Sequence, residues 1–134
     1  MNGEPKDTPD AIRISNLLNA FARNADEGPV EGMGRLLAED VEWRMTDVTW
    51  RGRTEVLYGL QGMRVLGHAG PDSGNRHIVT NLEVHVNGDR ASAFSYFQLV
   101  SGDQPAAILV TGSYRDELMR CDDRWLLARR EVST

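Results

Sequence analysis

Arg76-His77-Ile78-Val79-Thr80-Asn81-Leu82-Glu83-Val84-His85-Val86-Asn87-Gly88-Asp89 is the stretch on which the fold of this chain turns. In its second half Leu82, Val84 and Val86 alternate with polar residues, the period of a strand with one buried face. Asn87-Gly88-Asp89 then gives a strong hairpin signal, because Asn and Gly accept the positive φ that tight hairpin turns require. Upstream, Gly67 to Asn75 is a loop by composition. A histidine therefore stands at the mouth of a long strand, directly after a glycine-rich loop.

On the C-terminal side the pattern continues as an antiparallel meander. A second strand is predicted over about residues 91–100, and Ser101-Gly102-Asp103-Gln104-Pro105 turns the chain. A third runs over about 107–118, Cys121 to Arg124 turns it again, and a fourth carries Trp125, Leu126 and Leu127 and closes near Val132. On the N-terminal side the period changes. Thr8-Pro9-Asp10 reads as a helix start, with Thr8 as the capping hydroxyl. Ile14, Leu17, Leu18, Phe21, Ala22 and Ala25 then recur at helical spacing until Asp26-Glu27-Gly28-Pro29. Val30, Met33, Leu36 and Leu37 mark a second, shorter helix. Val41, Trp43 and Met45 alternate as a strand, and Thr54 is the expected cap of a third helix carrying Val56, Leu57, Leu60 and Met63.

Helices gathered first and strands gathered last indicate an α+β domain, with three helices packed on a strongly curved, mainly antiparallel sheet. Such a sheet leaves an apolar hollow beneath the helices, the default place for a ligand. Residues 1–8 are expected to be a flexible tail and 9–134 a single domain, in keeping with 134 residues and a 40% hydrophobic content. A net charge of −5 without a basic block argues against nucleic acid and anionic membrane surfaces as partners. Met1 to Thr8 is polar, no run approaches the ~20 apolar residues of a membrane helix, and the one cysteine, Cys121, has no internal partner. A cytoplasmic protein is the expectation.

His77 and Asp26 are the candidate catalytic pair. A histidine exchanges a proton near neutral pH, and a carboxylate orients its ring and stabilises its charged form. The plainer alternatives are a histidine bonded to the loop backbone and an acid bonded to the turn after its helix. Met45, Leu57, Phe97, Val110 and Tyr114 are candidates for lining the hollow, with core packing as the alternative for each. Tyr114 stands out, because a buried phenol needs a partner. Of Arg129 and Arg130, consecutive on the last strand, at most one can point inward. His68 reads as a solvent-exposed loop residue, with a lid residue as the alternative, and His85 as facing away from the buried side of its strand. No metal-ligand spacing is present.

These landmarks resemble a known family. Leu37-Ala38-Glu39-Asp40-Val41-Glu42-Trp43, Gly52, His77-Ile78-Val79-Thr80-Asn81, Gly88-Asp89-Arg90-Ala91, Gly112-Ser113-Tyr114 and Asp123-Arg124-Trp125 come in the order of the SnoaL-like branch of the nuclear transport factor 2-like superfamily. The arrangement is similar to the scytalone dehydratase and hexachlorocyclohexane dehydrochlorinase group. The resemblance implies a cofactor-independent lyase or isomerase in which His77 is the base and Asp26 its partner. It favours Arg130 over Arg129 as the inward arginine, holding a leaving group or a substrate carboxylate, against the alternative of pairing with surface acids. It further implies a small hydrophobic ligand and a homodimer formed through the sheet face. A non-catalytic binding or association module of the same fold is the other reading. The chain departs from the dehydratase in having Ala25 and Met45 where that enzyme places tyrosines, and no second histidine near Ser101.

Overall fold

The structure is a computed structural model that describes residues 4, 5 and 8–134. Its first helix, α1 (Asp10–Glu27), buries Ile14, Leu17, Leu18 and Phe21, the stripe set by the sequence period. The expected Thr8 cap is not made. The helix begins one residue later, Pro9 takes the cap position, and the Thr8 hydroxyl donates to the Pro5 carbonyl at 2.8 Å. Glu4 is tied to α1 through Asn16, whose amide donates to its carboxylate at 2.9 Å. The other residues of the expected tail, 1–3, 6 and 7, lie outside the described residues.

The second helix, α2 (Val30–Gly34), is shorter than expected, since Leu37 already opens β1 (Leu37–Arg44). Gly32 and Gly34 account for the early stop, because glycine carries the largest entropic cost in a helix after proline's steric one. A short strand absent from the sequence prediction, β2 (Thr49–Arg51), pairs antiparallel with β1 and leads into α3 (Arg53–Val65). Thr54 does not cap α3. Gly52 does so at φ 88°, a left-handed conformation that favours glycine, while the Glu55 carboxylate reaches back to accept the Arg51 N–H at 2.6 Å.

The four long strands follow as expected: β3 (Arg76–Asn87), β4 (Arg90–Val100), β5 (Ile108–Cys121) and β6 (Arg124–Ser133). The sheet order is β2-β1-β6-β5-β4-β3, antiparallel throughout except where β1 runs parallel to β6. Asp122 and Asp123 both take positive φ, 50° and 63°, which closes the β5–β6 hairpin with the twist such two-residue turns need. At that end of the sheet, Asp10 accepts from Trp125 Nε1 at 3.0 Å and from Arg120 Nη2 at 2.6 Å, tying the start of α1 to the hairpin. The Trp125 hydrogen bond, then the hydrogen bond and charge of Arg120, hold the Asp10 carboxyl below its usual range against the opposing effect of burial.

Two bulges decide which side chains face inward. In β3 the register slips between Thr80 and Glu83, and Asn81 takes a left-handed φ of 56°. Leu82 and Val84 pack against the core beyond the bulge, while His77 and Val79 face the cavity before it. In β6 the pairing slips at Ala128, since Leu118 pairs with Leu127 but Glu117 with Arg129. Trp125 and Leu127 are buried on one side of that slip, and Arg130 on the other.

Candidate active site

The helices close over the concave face of the sheet and leave a cavity of about 180 Å³, lined almost entirely by apolar side chains. An apolar cavity near 150 Å³ holds a benzene ring, so the space suits a compact ring compound.

Asp26 lies in the last turn of α1 and is buried. Its carboxylate accepts the His77 backbone N–H at 3.0 and 3.1 Å and stands 2.7 Å from His77 Nδ1. An ionised carboxylate only accepts, so opposite one Nδ1 carries the proton, and in the neutral ring Nε2 then keeps its lone pair. Nε2 has no hydrogen bond among the described residues, and the His77 ring lines the cavity. Neither plainer alternative matches these contacts, because the backbone N–H that Asp26 accepts is that of His77 rather than of its own turn, and that bond anchors the mouth of β3 beside α1. Arg64, on α3, steadies the same helix end by donating to the carbonyls of Asn24 at 2.8 Å and Ala25 at 3.3 Å.

Beyond His77 the aromatic groups form a continuous row. The Phe97 ring is 6.3 Å from His77 and stacks on Tyr114 at 4.4 Å and 8°. Gly112, opposite Phe97 in the register, makes this possible, since a Cβ there would come within 2.7 Å of the Phe97 ring. The Arg130 guanidinium lies 3.7 Å over the Tyr114 ring, with Phe21 at 5.3 Å and Trp43 at 5.4 Å. Cation–π contacts of a desolvated arginine contribute about 2 kcal/mol.

Arg130 and Asp116 form a bidentate ion pair, Nε to Oδ1 at 2.8 Å and Nη2 to Oδ2 at 2.9 Å, with both residues buried. Burial opposes the Arg130 charge, but the Asp116 carboxylate outweighs it and the net shift is upward. The Tyr114 phenol is pushed up to about 12, first by burial and then by the charges of Asp116 and Asp26, against the lowering pull of Arg130. It is therefore a hydrogen-bond donor at neutral pH. Its hydroxyl and Arg130 Nη1 have no partner among the described residues. The buried Trp43 Nε1 has none either, an omission that costs roughly 1–3 kcal/mol while it lasts.

Met45, Phe97, Tyr114, Arg130 and His77 thus line the cavity, and Asp26 stands behind His77. Leu57 and Val110 do not. Leu57 packs against Gly34 one turn before the inward-facing Leu60, and Val110 is exposed along with Ile108 and Leu109, where β5 runs past the cover of the helices. Arg130 is the inward arginine, but its acid is buried rather than on the surface, and Arg129 faces outward near Glu117 and Glu131. His68 is exposed at the cavity's lining, and His85 is exposed on the outer face. The sequence prediction missed Trp43 and Asp116. Both carry a signal in hindsight, standing two residues from Met45 and Tyr114 on the same strand faces.

Several solved structures share this fold. A protein of unknown function with a cystatin-like fold from Nostoc punctiforme superposes with a TM-score of 0.82 at 23% identity, over 92% of this chain and 89% of its own. A protein from Novosphingobium aromaticivorans, provisionally assigned as a scytalone dehydratase, gives 0.77 at 20%, over 93% and 84%. A Catenulispora acidiphila protein in complex with S-DNPA gives 0.78 at 20%, over 91% and 92%. At these identities they share the fold alone. None of the curated proteins matches the chain. Among the described residues no helix is long and apolar enough to cross a membrane. The family model of the SnoaL-like domain matches residues 7–131, nearly the whole length, and the chain therefore belongs to the SnoaL-like domain family of the nuclear transport factor 2-like superfamily.

Proposed function

We propose that the chain is a cofactor-independent lyase or isomerase that removes a proton from carbon in a small, mostly apolar ring compound. The observation that carries this reading is the 2.7 Å contact between Asp26 and His77 Nδ1 at the wall of an apolar cavity. With Nδ1–H held by Asp26, Nε2 takes the proton, and the carboxylate stabilises the imidazolium without being protonated itself. General-base catalysis of this kind contributes roughly 10²–10⁴-fold in rate, and a cavity of low polarity strengthens the dyad's electrostatics. The electrons left on carbon either form a double bond as a neighbouring group departs, or are reprotonated elsewhere on the ring. The fold neighbour provisionally assigned as a scytalone dehydratase is in keeping with elimination, but the dyad, not the neighbour, bears the weight.

The test is deuterium incorporation from D2O into a panel of ring compounds with activated C–H bonds, followed by NMR. The wild-type chain should exchange at least one of them. His77→Ala should fall to the uncatalysed rate, and Asp26→Asn, which retains the shape, should lose roughly 10²–10⁴-fold. Exchange at the wild-type rate by His77→Ala sinks the assignment. We also propose self-association through the outer face of the sheet, where Ile78, Tyr96 and Leu109 are 43%, 51% and 51% exposed. Sedimentation equilibrium should give a dimer that Tyr96→Glu weakens.

A further inference from the structure

The wall of the cavity is uneven in how firmly it is held. Apart from Met45, in the β1–β2 turn, His68 and Ala69 are the only lining residues that lie outside a helix or strand. His68 is also the only lining residue that is exposed. Both belong to residues 67–75, a strap that joins the end of α3 to β3.

The strap is folded on itself and has few ties to the rest of the molecule. Ser73 donates twice to the Gly70 carbonyl, from its N–H at 3.1 Å and its hydroxyl at 2.7 Å. The Asn75 backbone N–H donates to the Ser73 hydroxyl at 3.0 Å, and the Asn75 side-chain amide to the His68 carbonyl at 3.1 Å. At the other end Gly67 and His68 donate to the carbonyls of Arg64 and Met63, in the last turn of α3. Among the described residues a single hydrogen bond ties the strap to the turn between β4 and β5, from the Gly102 N–H to Asn75 Oδ1 at 3.2 Å. Two close packings complete its seat. A Cβ on Gly102 would stand 2.7 Å from the Gly74 carbonyl oxygen, and one on the buried Gly70 would stand 2.8 Å from Arg64 Cγ.

The same segment is built to swing. Gly67 and Gly74 flank it at φ 83° and 68°, a region that glycine enters without strain. Beyond its chain neighbours, no atom lies within 4 Å of where a Gly67 Cβ would stand. Ala69 and Pro71 are the only apolar side chains of the strap, so lifting it uncovers little apolar surface of its own. Just before the first hinge, Val65 and Leu66 are 77% and 71% exposed, which gives an apolar ligand an apolar threshold.

We propose that residues 67–75 are the gate of the cavity, swinging about Gly67 and Gly74 to admit a small apolar ligand, and that the Asn75–Gly102 hydrogen bond is the latch that shuts it. The sheet and α1 keep their own hydrogen bonds through this motion, so the remaining walls stay in place. The latch is the same whether the cavity is empty or filled. It therefore governs how fast a ligand enters and leaves, and not how tightly it is held. The gate stands apart from the proton-transfer reading, since it needs only an entrant that fits.

Benzene tests this on the full chain, because it suits the size of the cavity and offers His77 nothing to act on. Met33, Met45 and Met63 line the cavity, so ¹³C-methyl methionine resonances report occupancy and their exchange broadening gives the rates in and out. Asn75→Ala removes the latch, and Gly102→Ala wedges Gly74 away from its seat. Each should speed both rates about two- to tenfold, the range expected of one hydrogen bond, while Kd changes less than about twofold. Rates equal to wild type in both variants, a Kd that shifts as far as the off-rate, or methionine resonances that benzene never moves each overturn the gate. Hydrogen exchange of the wild-type chain adds a measurement that needs no variant. The His68 and Gly102 amides, bonded at the two ends of the strap, should exchange together and at least about tenfold faster than the amides of β4 and β5. If they exchange only as fast as those sheet amides, no separate opening exists and the proposal fails.

Discussion

Replacing Asp116 by leucine isolates the interaction that organises the far end of the cavity. The side chains are of similar size, so the change removes the charge and leaves the Arg130 guanidinium buried among Tyr114, Phe21 and Trp43 with nothing opposite it. Breaking one side of a buried ion pair costs about 3–5 kcal/mol. Unfolding entropy of about 2.1 cal/mol/K per residue gives this 134-residue chain about 0.28 kcal/mol per degree, so Tm should fall by about 11–18 °C. Arg130→Met alone should cost a similar amount, because it strands the carboxylate instead. The double variant should recover most of the loss, since well-packed apolar side chains replace a buried pair at little net cost. Thermal and guanidinium unfolding of all four proteins, followed by circular dichroism, closes the cycle. A loss of about 1 kcal/mol or less in Asp116→Leu, or a double variant as unstable as the two singles combined, would show that the pair is solvated and the burial argument mistaken.

Two further outcomes follow from the packing and from the Asp10 clamp. Gly112→Ala places a Cβ against the Ser133 carbonyl oxygen and 2.7 Å from the Phe97 ring, so it should cost about 1–3 kcal/mol and disturb the Phe97–Tyr114 stack; an unchanged urea midpoint and near-ultraviolet spectrum would refute the contact. The Asp10 carboxyl is held below 3.8 in the folded chain, chiefly by Trp125 and then by Arg120, so its contribution to stability is present above that value and is lost as pH falls below it. Asp10→Asn should accordingly show a shallower loss of stability on acidification, measured by urea unfolding at stepped pH, and an unaltered slope would count against the clamp.

Much of the architecture was legible because it rests on local periods. The stripe Ile14, Leu17, Leu18 and Phe21 and the alternation of Leu82 with Val84 declare which faces are apolar. The same logic found Met45 yet stopped short of Trp43, two residues away on the same face, because a tryptophan among core residues looks like packing until its N–H is seen without a partner. Thr8 and Thr54 misled for a related reason. Either hydroxyl suits a cap by type, but a shift of one or two residues in where the helix starts gives the cap to Pro9 or Gly52 instead. The short strand β2 carries only three residues and depends on its pairing with β1, which no local pattern announces.

The sequence by itself determined the elements, their order and the residue types available for chemistry: an acid closing one helix, a histidine opening a strand, two adjacent arginines on another. Tertiary structure alone decided which of them meet. Strict alternation back from Leu82 would turn His77 away from the core, and strict alternation on from Leu127 would bring Arg129 inward rather than Arg130. A single extra residue in each strand, at Asn81 and near Ala128, reverses both outcomes. A side-chain period of two means that one inserted residue exchanges the faces of everything beyond it, and a bulge is set by the pairing of neighbouring strands rather than by its own few residues. The site is built at those two slips, where long-range register overrides the local pattern.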